Sequence, residues 1–216
     1  QGEKLSILGF GCMRLPLNSD KTVNREESKR IVRWGIDNGI NYIDTAYVYL
    51  DKFGEEIVGE CLADGYRDKV HLATKIPVWL GNGTKAGLHK LFEEELQHLK
   101  TDHIDFFLVH SLNKARWDIA VKSGIHEFLN EIKAAGKAVN VGFSHHDEYA
   151  QFSDILNSRQ WDFCQIQYNY VDRYYQAGPR GAAEAMAKGL SVMIMEPLRG
   201  GQLASIPNEA RVLFDA

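Results

Sequence analysis

Cysteine, positive charge and long apolar runs are all scarce in this sequence, and each scarcity excludes something. The 216 residues contain 3 cysteines, Cys12, Cys61 and Cys164, an odd number without Cys-x-x-Cys spacing. That argues against a disulfide framework and a structural zinc site, so no metal is expected, and it suits a reducing, cytoplasmic compartment. The longest apolar runs, such as Ile104 to Val109, are too short to span a bilayer and carry Asp105 inside. Lys and Arg number 25 against 29 Asp and Glu, for a net charge of −4. A nucleic-acid partner would call for a basic surface, so neither nucleic acid nor membrane is expected as a partner. Linkers, low-complexity tracts and charge blocks are missing, so residues 1–216 read as a single domain. What remains is ordinary globular material, 44% hydrophobic and 25% charged, which can bury a core without staples.

Strand-like and helix-like segments alternate along the whole chain. Short apolar runs at Leu5–Phe10, Tyr42–Thr45, Val70–Lys75, Ile104–His110, Ala138–Phe143, Phe163–Gln167 and Ser191–Glu196 lack polar alternation. Parallel strands buried on both faces have that character. Between them, helical periodicity is expected over Glu26–Asn38, Lys52–Ala63, Leu88–Leu99, Ile125–Ala135, Glu148–Asn157 and Arg180–Lys188. Gly39, Gly65, Gly136 and Gly189 stand where helix C-terminal signals belong. A βα unit about every 30 residues predicts a (β/α) barrel or a doubly wound sheet. Seven strands are visible where a full barrel has eight, with a short helical-looking stretch from Pro207. The expected fold class is α/β, a (β/α)8 TIM barrel truncated after the seventh strand.

In such folds chemistry sits at the carboxyl ends of the strands. Each end here carries polar residues that a packed strand would not choose: Asp44, Lys75, His110, Ser144-His145 and Gln165. Charge at a buried strand end is costly unless paired, and neighbouring strands could pair Asp44 with Lys75. Taken singly, each residue has a plainer reading. The pair could be a structural salt bridge, His110 a hydrogen-bonded core histidine, and Tyr49 an interface aromatic. The adjacent His145 and His146 point to opposite faces of a strand and so make poor metal ligands.

Together, these residues resemble the aldo-keto reductases. Asp44-Thr45-Ala46-Tyr47-Val48-Tyr49 followed by Gly54-Glu55-Glu56-Ile57-Val58-Gly59 is similar to that family's first signature. Lys75 in Leu72-Ala73-Thr74-Lys75 and His110 in Phe107-Leu108-Val109-His110 match its catalytic Lys and His. The resemblance runs from about residue 3 to 204. It is narrower at Gly9–Pro16, Trp161–Tyr170 and Met195–Gly201, which resemble a bacterial and archaeal branch whose members often carry a ferredoxin-like 4Fe-4S cysteine cluster after the barrel. No such cluster occurs in this sequence.

The resemblance implies hydride transfer from NADPH (or NADH) to the carbonyl of a small aldehyde or ketone. Tyr49 is then the general acid, with its pKa lowered by Lys75. Asp44 holds Lys75, and His110 donates to the carbonyl oxygen. It also implies cofactor contacts from Gly11, Cys12, Met13 and Asp44 at the ribose and from Ser144, His145 and Gln165 at the carboxamide. Met195 would lie against the ring, and the loop of Glu196, Pro197, Leu198, Gly200 and Gly201 near the pyrophosphate. His145 replaces a usual Asn, and Met195 a usual aromatic. Two other readings stay open: a Schiff-base aldolase using Lys75, and a nucleotide-binding regulatory module with little turnover. A barrel lacking its eighth strand is expected to be incompetent and association-prone by itself.

Overall fold

The computed structural model describes residues 4–207 and Arg211, in two compact units, residues 1–144 and 145–216. The first unit holds strands β1 (Phe10–Gly11), β2 (Tyr42–Asp44), β3 (His71–Ile76), β4 (Ile104–Leu112) and β5 (Ala138–His145, which reaches the unit boundary), lying side by side in chain order. Pairing is parallel from β1 to β4, with Gly11 opposite Asp44, Asp44 opposite Ala73, and Lys75 opposite Leu108. The helices between them are α1 (Arg25–Asp37), α2 (Gly54–Cys61), α3 (Lys85–Leu99), α4 (Lys114–Lys122) and α5 (Ile125–Ala134).

The helices start where side chains can cap them. Asn24 accepts from the N–H of Glu27 at 3.0 Å, with Glu26 and Glu27 in the first turn of α1. Thr84 accepts from the N–H of Gly87 at 3.0 Å, so α3 begins at Lys85 and not at Leu88 as its apolar pattern suggested. The buried face of α3 carries Leu88, Leu91, Phe92, Leu96 and Leu99. Phe92 meets Phe107 of β4 edge-on at 4.9 Å between ring centroids, and both meet Phe128 of α5. Helices α2 and α3 approach so closely that a Cβ at Gly59 would lie 2.6 Å from the carbonyl oxygen of His98. Asp105 inside β4 is paired: its carboxylate accepts from Arg67 at 2.7 Å and from the N–H of Leu72 at 2.8 Å.

The structure departs from the sequence pattern elsewhere as well. The expected strand Leu5–Phe10 is reduced to Phe10–Gly11. Ser6 is held by the side chain of Asn41, its N–H donating to Oδ1 at 2.6 Å, and Ile7 and Leu8 are exposed. Within the expected helix Glu26–Asn38, whose apolar residues are Ile31, Val32, Trp34 and Ile36, Val32 and Ile36 are buried but Trp34 is exposed. Helix α4 was not legible, because among its residues only Ala120 is buried.

The second unit pairs β6 (Phe163–Gln167) with β7 (Ser191–Met195) in parallel, Gln165 opposite Met193 and Gln167 opposite Met195. Helices α6 (Tyr149–Asn157) and α7 (Gly178–Ala187) accompany them. Phe152 of α6 packs on Gly181 of α7, where a Cβ would stand 3.1 Å from the ring. The stretch expected to be helical from Pro207 lies outside the described residues, apart from Pro207 and Arg211.

Candidate active site

Parallel pairing of β2 with β3 puts Asp44 and Lys75 at neighbouring strand ends. Lys75 is 1% exposed, and its ammonium is shared by three oxygens. Nζ donates to Asp44 Oδ1 at 2.6 Å, to the carbonyl of Thr45 at 2.7 Å and to the Tyr49 hydroxyl at 3.3 Å. The main chain fixes Asp44 in turn, its carbonyl accepting from Cys12 N–H at 2.8 Å. Tyr49 leaves β2 on a short helical turn whose next residues, Leu50, Asp51 and Lys52, all have left-handed φ, at 51°, 55° and 75°. Non-glycine residues rarely adopt that conformation except under constraint. The Tyr49 ring meets His110 edge-on, 5.8 Å between centroids at 79°. All four residues proposed from sequence thus meet within the first unit.

The electrostatics correct one expectation. Burial pushes the Tyr49 phenol up. Lys75 pulls it down, but the net displacement is upward, not downward as the sequence suggested. Burial is also the largest influence on Lys75 and lowers it, yet Asp44 and Tyr49 together carry its pKa above the ordinary lysine value. The ammonium therefore stays charged and the phenol stays protonated at neutral pH.

Of the residues implied as cofactor contacts, Gly11 and Met13 are exposed, while Cys12 and Ser144 are buried. Ser144 Oγ accepts from the N–H of Ser111 at 2.6 Å, which leaves its own hydrogen to donate. In the second unit Gln165 is buried at the centre of β6 and Met195 is half-buried at the end of β7. The exposed loop Glu196, Pro197, Leu198, Gly200 and Gly201 has positive φ at Glu196 (57°), Gly200 (67°) and Gly201 (95°). His145 is fully buried. Its Nδ1 accepts from Asp147 N–H at 3.4 Å, and its Nε2 has no hydrogen-bond partner among the described residues. A buried imidazole N–H without an acceptor fits a bound amide such as the nicotinamide carboxamide.

Burial drives the His145 pKa down to about 4. The folded protein then stays neutral at this position while the unfolded chain takes up a proton below pH about 6.5. The stability that neutral His145 preserves is present above that value and is lost progressively down to pH 4. A loss of about 3 kcal/mol is expected. Chemical denaturation of wild type and His145→Asn between pH 7 and pH 4 checks it: the variant's curve should be flatter, and parallel curves would refute it.

Sequence reasoning missed Trp79, whose ring lies 5.7 Å from His110, and Arg116, whose guanidinium lies 4.1 Å above Trp79. It also missed Asn169, whose Oδ1 accepts from the N–H of Val171 and Asp172 after β6. No spacing rule marks these positions. A single buried Asn after a strand was the one available signal.

A model of the aldo/keto reductase family matches residues 7–211, and the chain belongs to that family. The methylglyoxal reductase YeaE of Escherichia coli is 33% identical over 157 residues, covering 73% of this chain and 51% of that protein. A probable aldo-keto reductase from Glycine max is 26% identical over 67% of this chain and 42% of its own length. The chain thus spans about half the length of the curated relatives it matches. Among solved structures, the holo form of an aldo-keto reductase from Bacillus halodurans is 27% identical with a TM-score of 0.78, over 94% of this chain and 66% of that one. One from Klebsiella pneumoniae, in complex with NADPH, is 27% identical with a TM-score of 0.74, over 92% of this chain and 66% of that one. The fold class is accordingly that of the (β/α)8 barrel, with seven strands among the described residues. No described helix is long and apolar enough to cross a membrane.

Proposed function

We propose that residues 1–216 belong to one incomplete barrel domain of a cytoplasmic, NADPH-dependent carbonyl reductase acting on small aldehydes or ketones. The observation that carries this reading is the sharing of one buried ammonium between Asp44, the Thr45 carbonyl and the Tyr49 hydroxyl. When bound, reduced nicotinamide supplies the hydride. Tyr49 gives its proton to the carbonyl oxygen as negative charge develops there. Lys75 stabilises the phenolate left behind, Asp44 keeps the ammonium charged and oriented, and His110 donates a hydrogen bond to the same oxygen. The NADPH-bound Klebsiella neighbour supports the cofactor, and the name of the E. coli relative supports a small carbonyl substrate.

The contacts assigned above to the cofactor remain the proposed ones: Gly11, Cys12, Met13 and Asp44, then Ser144, His145 and Gln165, then Met195 and the loop from Glu196 to Gly201. The orphaned Nε2 of His145 and the free hydroxyl hydrogen of Ser144 support them. The aldolase reading is disfavoured because Lys75 is held as an ammonium, and a Schiff base needs a free amine. Oxidation of NADPH by the full-length protein against a panel of aldehydes, methylglyoxal included, tests the proposal. Steady turnover is expected. Tight NADPH binding with no turnover on any carbonyl would transfer the case to a regulatory module.

A further inference from the structure

Beside the acid–base cluster the first unit holds a cation that this chemistry does not use. Arg116 sits in the first turn of α4, half-buried, with its guanidinium carbon 4.1 Å above the Trp79 ring. Trp79 lies 5.7 Å from His110, and His110 lies 5.8 Å from Tyr49. Tyr49, His110, Trp79 and Arg116 therefore form one run of side chains leading away from the reacting hydroxyl.

The guanidinium is held in place. Its Nη1 donates to the carbonyl of Ser111 at 2.9 Å and to Ser111 Oγ at 2.6 Å. Ser111 has a left-handed φ of 51°, and its N–H is tied to Ser144 Oγ at 2.6 Å. Strained backbone of this kind gathers at ligand sites. The other edge of the guanidinium, Nε with Nη2, has no acceptor among the described residues, and Arg116 forms no ion pair among them. Arg30 shows what that edge can hold: its Nε and Nη2 grip both oxygens of Glu27 at 2.7 and 2.6 Å. A half-buried cation without a counter-charge is costly. The cost is greater at a helix N-terminus, where the dipole is positive, and α4 has no acidic residue in its first turn. Lys114, the other cation of that turn, is already paired with Asp118.

We infer that Arg116 is a substrate-binding residue, and that the preferred substrates are short aldehydes or ketones bearing a carboxylate. The two carboxylate oxygens take the Nε–Nη2 edge while the carbonyl faces Tyr49 and His110, geometry for which the planar guanidinium fork is suited. This inference rests on the reductase reading.

The test compares 4-oxobutanoate with butanal as substrates of the full-length protein with NADPH. The wild type should favour the oxo acid in kcat/KM. Arg116→Gln should lower the ratio of the two kcat/KM values by about 10- to 100-fold, mainly through the KM of the oxo acid. Arg116→Lys should restore part of that ratio by keeping the charge. Equal losses on both substrates, or a wild type without preference, overturn the inference. Calorimetric titration with 4-hydroxybutanoate separates it from the reductase reading. Binding that disappears in Arg116→Gln supports the carboxylate site even if no carbonyl is reduced, and binding that the substitution leaves unchanged overturns it whatever the turnover.

Discussion

Replacing Tyr49 with Phe is expected to lower kcat for carbonyl reduction by about 10²–10⁴-fold, the usual range for loss of a positioned acid. NADPH affinity should stay close to wild type. The substitution removes one oxygen and little else. Lys75 keeps Asp44 Oδ1 at 2.6 Å and the Thr45 carbonyl at 2.7 Å, so its charge remains matched and the fold should hold. The upward displacement of the Tyr49 pKa bears on the pH profile. A phenol protonated throughout the neutral range gives a reduction rate level through neutral pH, falling only in the alkaline range. Stopped-flow single turnovers with a reactive aldehyde would separate chemistry from product release. A wild-type-like rate in the Phe variant would remove Tyr49 from the mechanism, and so would a profile that breaks near pH 7.

Much of this arrangement was legible in the sequence because parallel strands buried on both faces announce themselves as short apolar runs. Phe163–Gln167 emerged with its bounds unchanged, and Gly39, Gly136 and Gly189 adopt the positive φ of helix ends. The strand-end residues Asp44, Lys75 and His110 stood out because polar groups are expensive there. Their meaning was harder to read. Sequence alone left the Asp44–Lys75 pair undecided between structure and chemistry, and what resolves the geometry is the adjacency of β2 and β3 together with a backbone that swings Tyr49 back to the pair. The turn that does so lies between Asp44 and Tyr49, where Tyr49 N–H donates to the Ala46 carbonyl at 3.1 Å, and it contains no glycine or proline to signal it. The direction of the Tyr49 shift was misread because a nearby cation is visible in a sequence and burial is not. Arg116 escaped notice because α4 has almost no apolar face to mark it as a helix.

Removing the carboxylate of Asp44 should cost more stability than any surface change in this chain. Lys75 is 1% exposed, and burial is the largest influence on its ammonium, opposed first by Asp44. In Asp44→Ala the ammonium would keep only two neutral oxygens. Leaving a buried charge without its counter-ion typically costs about 3–5 kcal/mol, a large share of the roughly 5–15 kcal/mol that holds a domain together. The pH dependence gives the sign. A lysine whose folded pKa is raised contributes stability that is complete below its unfolded value, about 10.4, and that fades as pH climbs through the folded value. The difference between wild type and Asp44→Ala should therefore be full at pH 7 and shrink above pH about 10, as Lys75 loses its proton in both folded and unfolded chains. Adding Lys75→Met to Asp44→Ala should recover much of the loss, because an apolar pair of similar volume avoids the desolvation that the ion pair must offset. Urea titrations of the wild type, both single variants and the double variant close the thermodynamic cycle. If Asp44→Ala is destabilised by less than about 1 kcal/mol, or if the double variant is no more stable than the single ones added together, the buried ammonium is being satisfied by something other than Asp44.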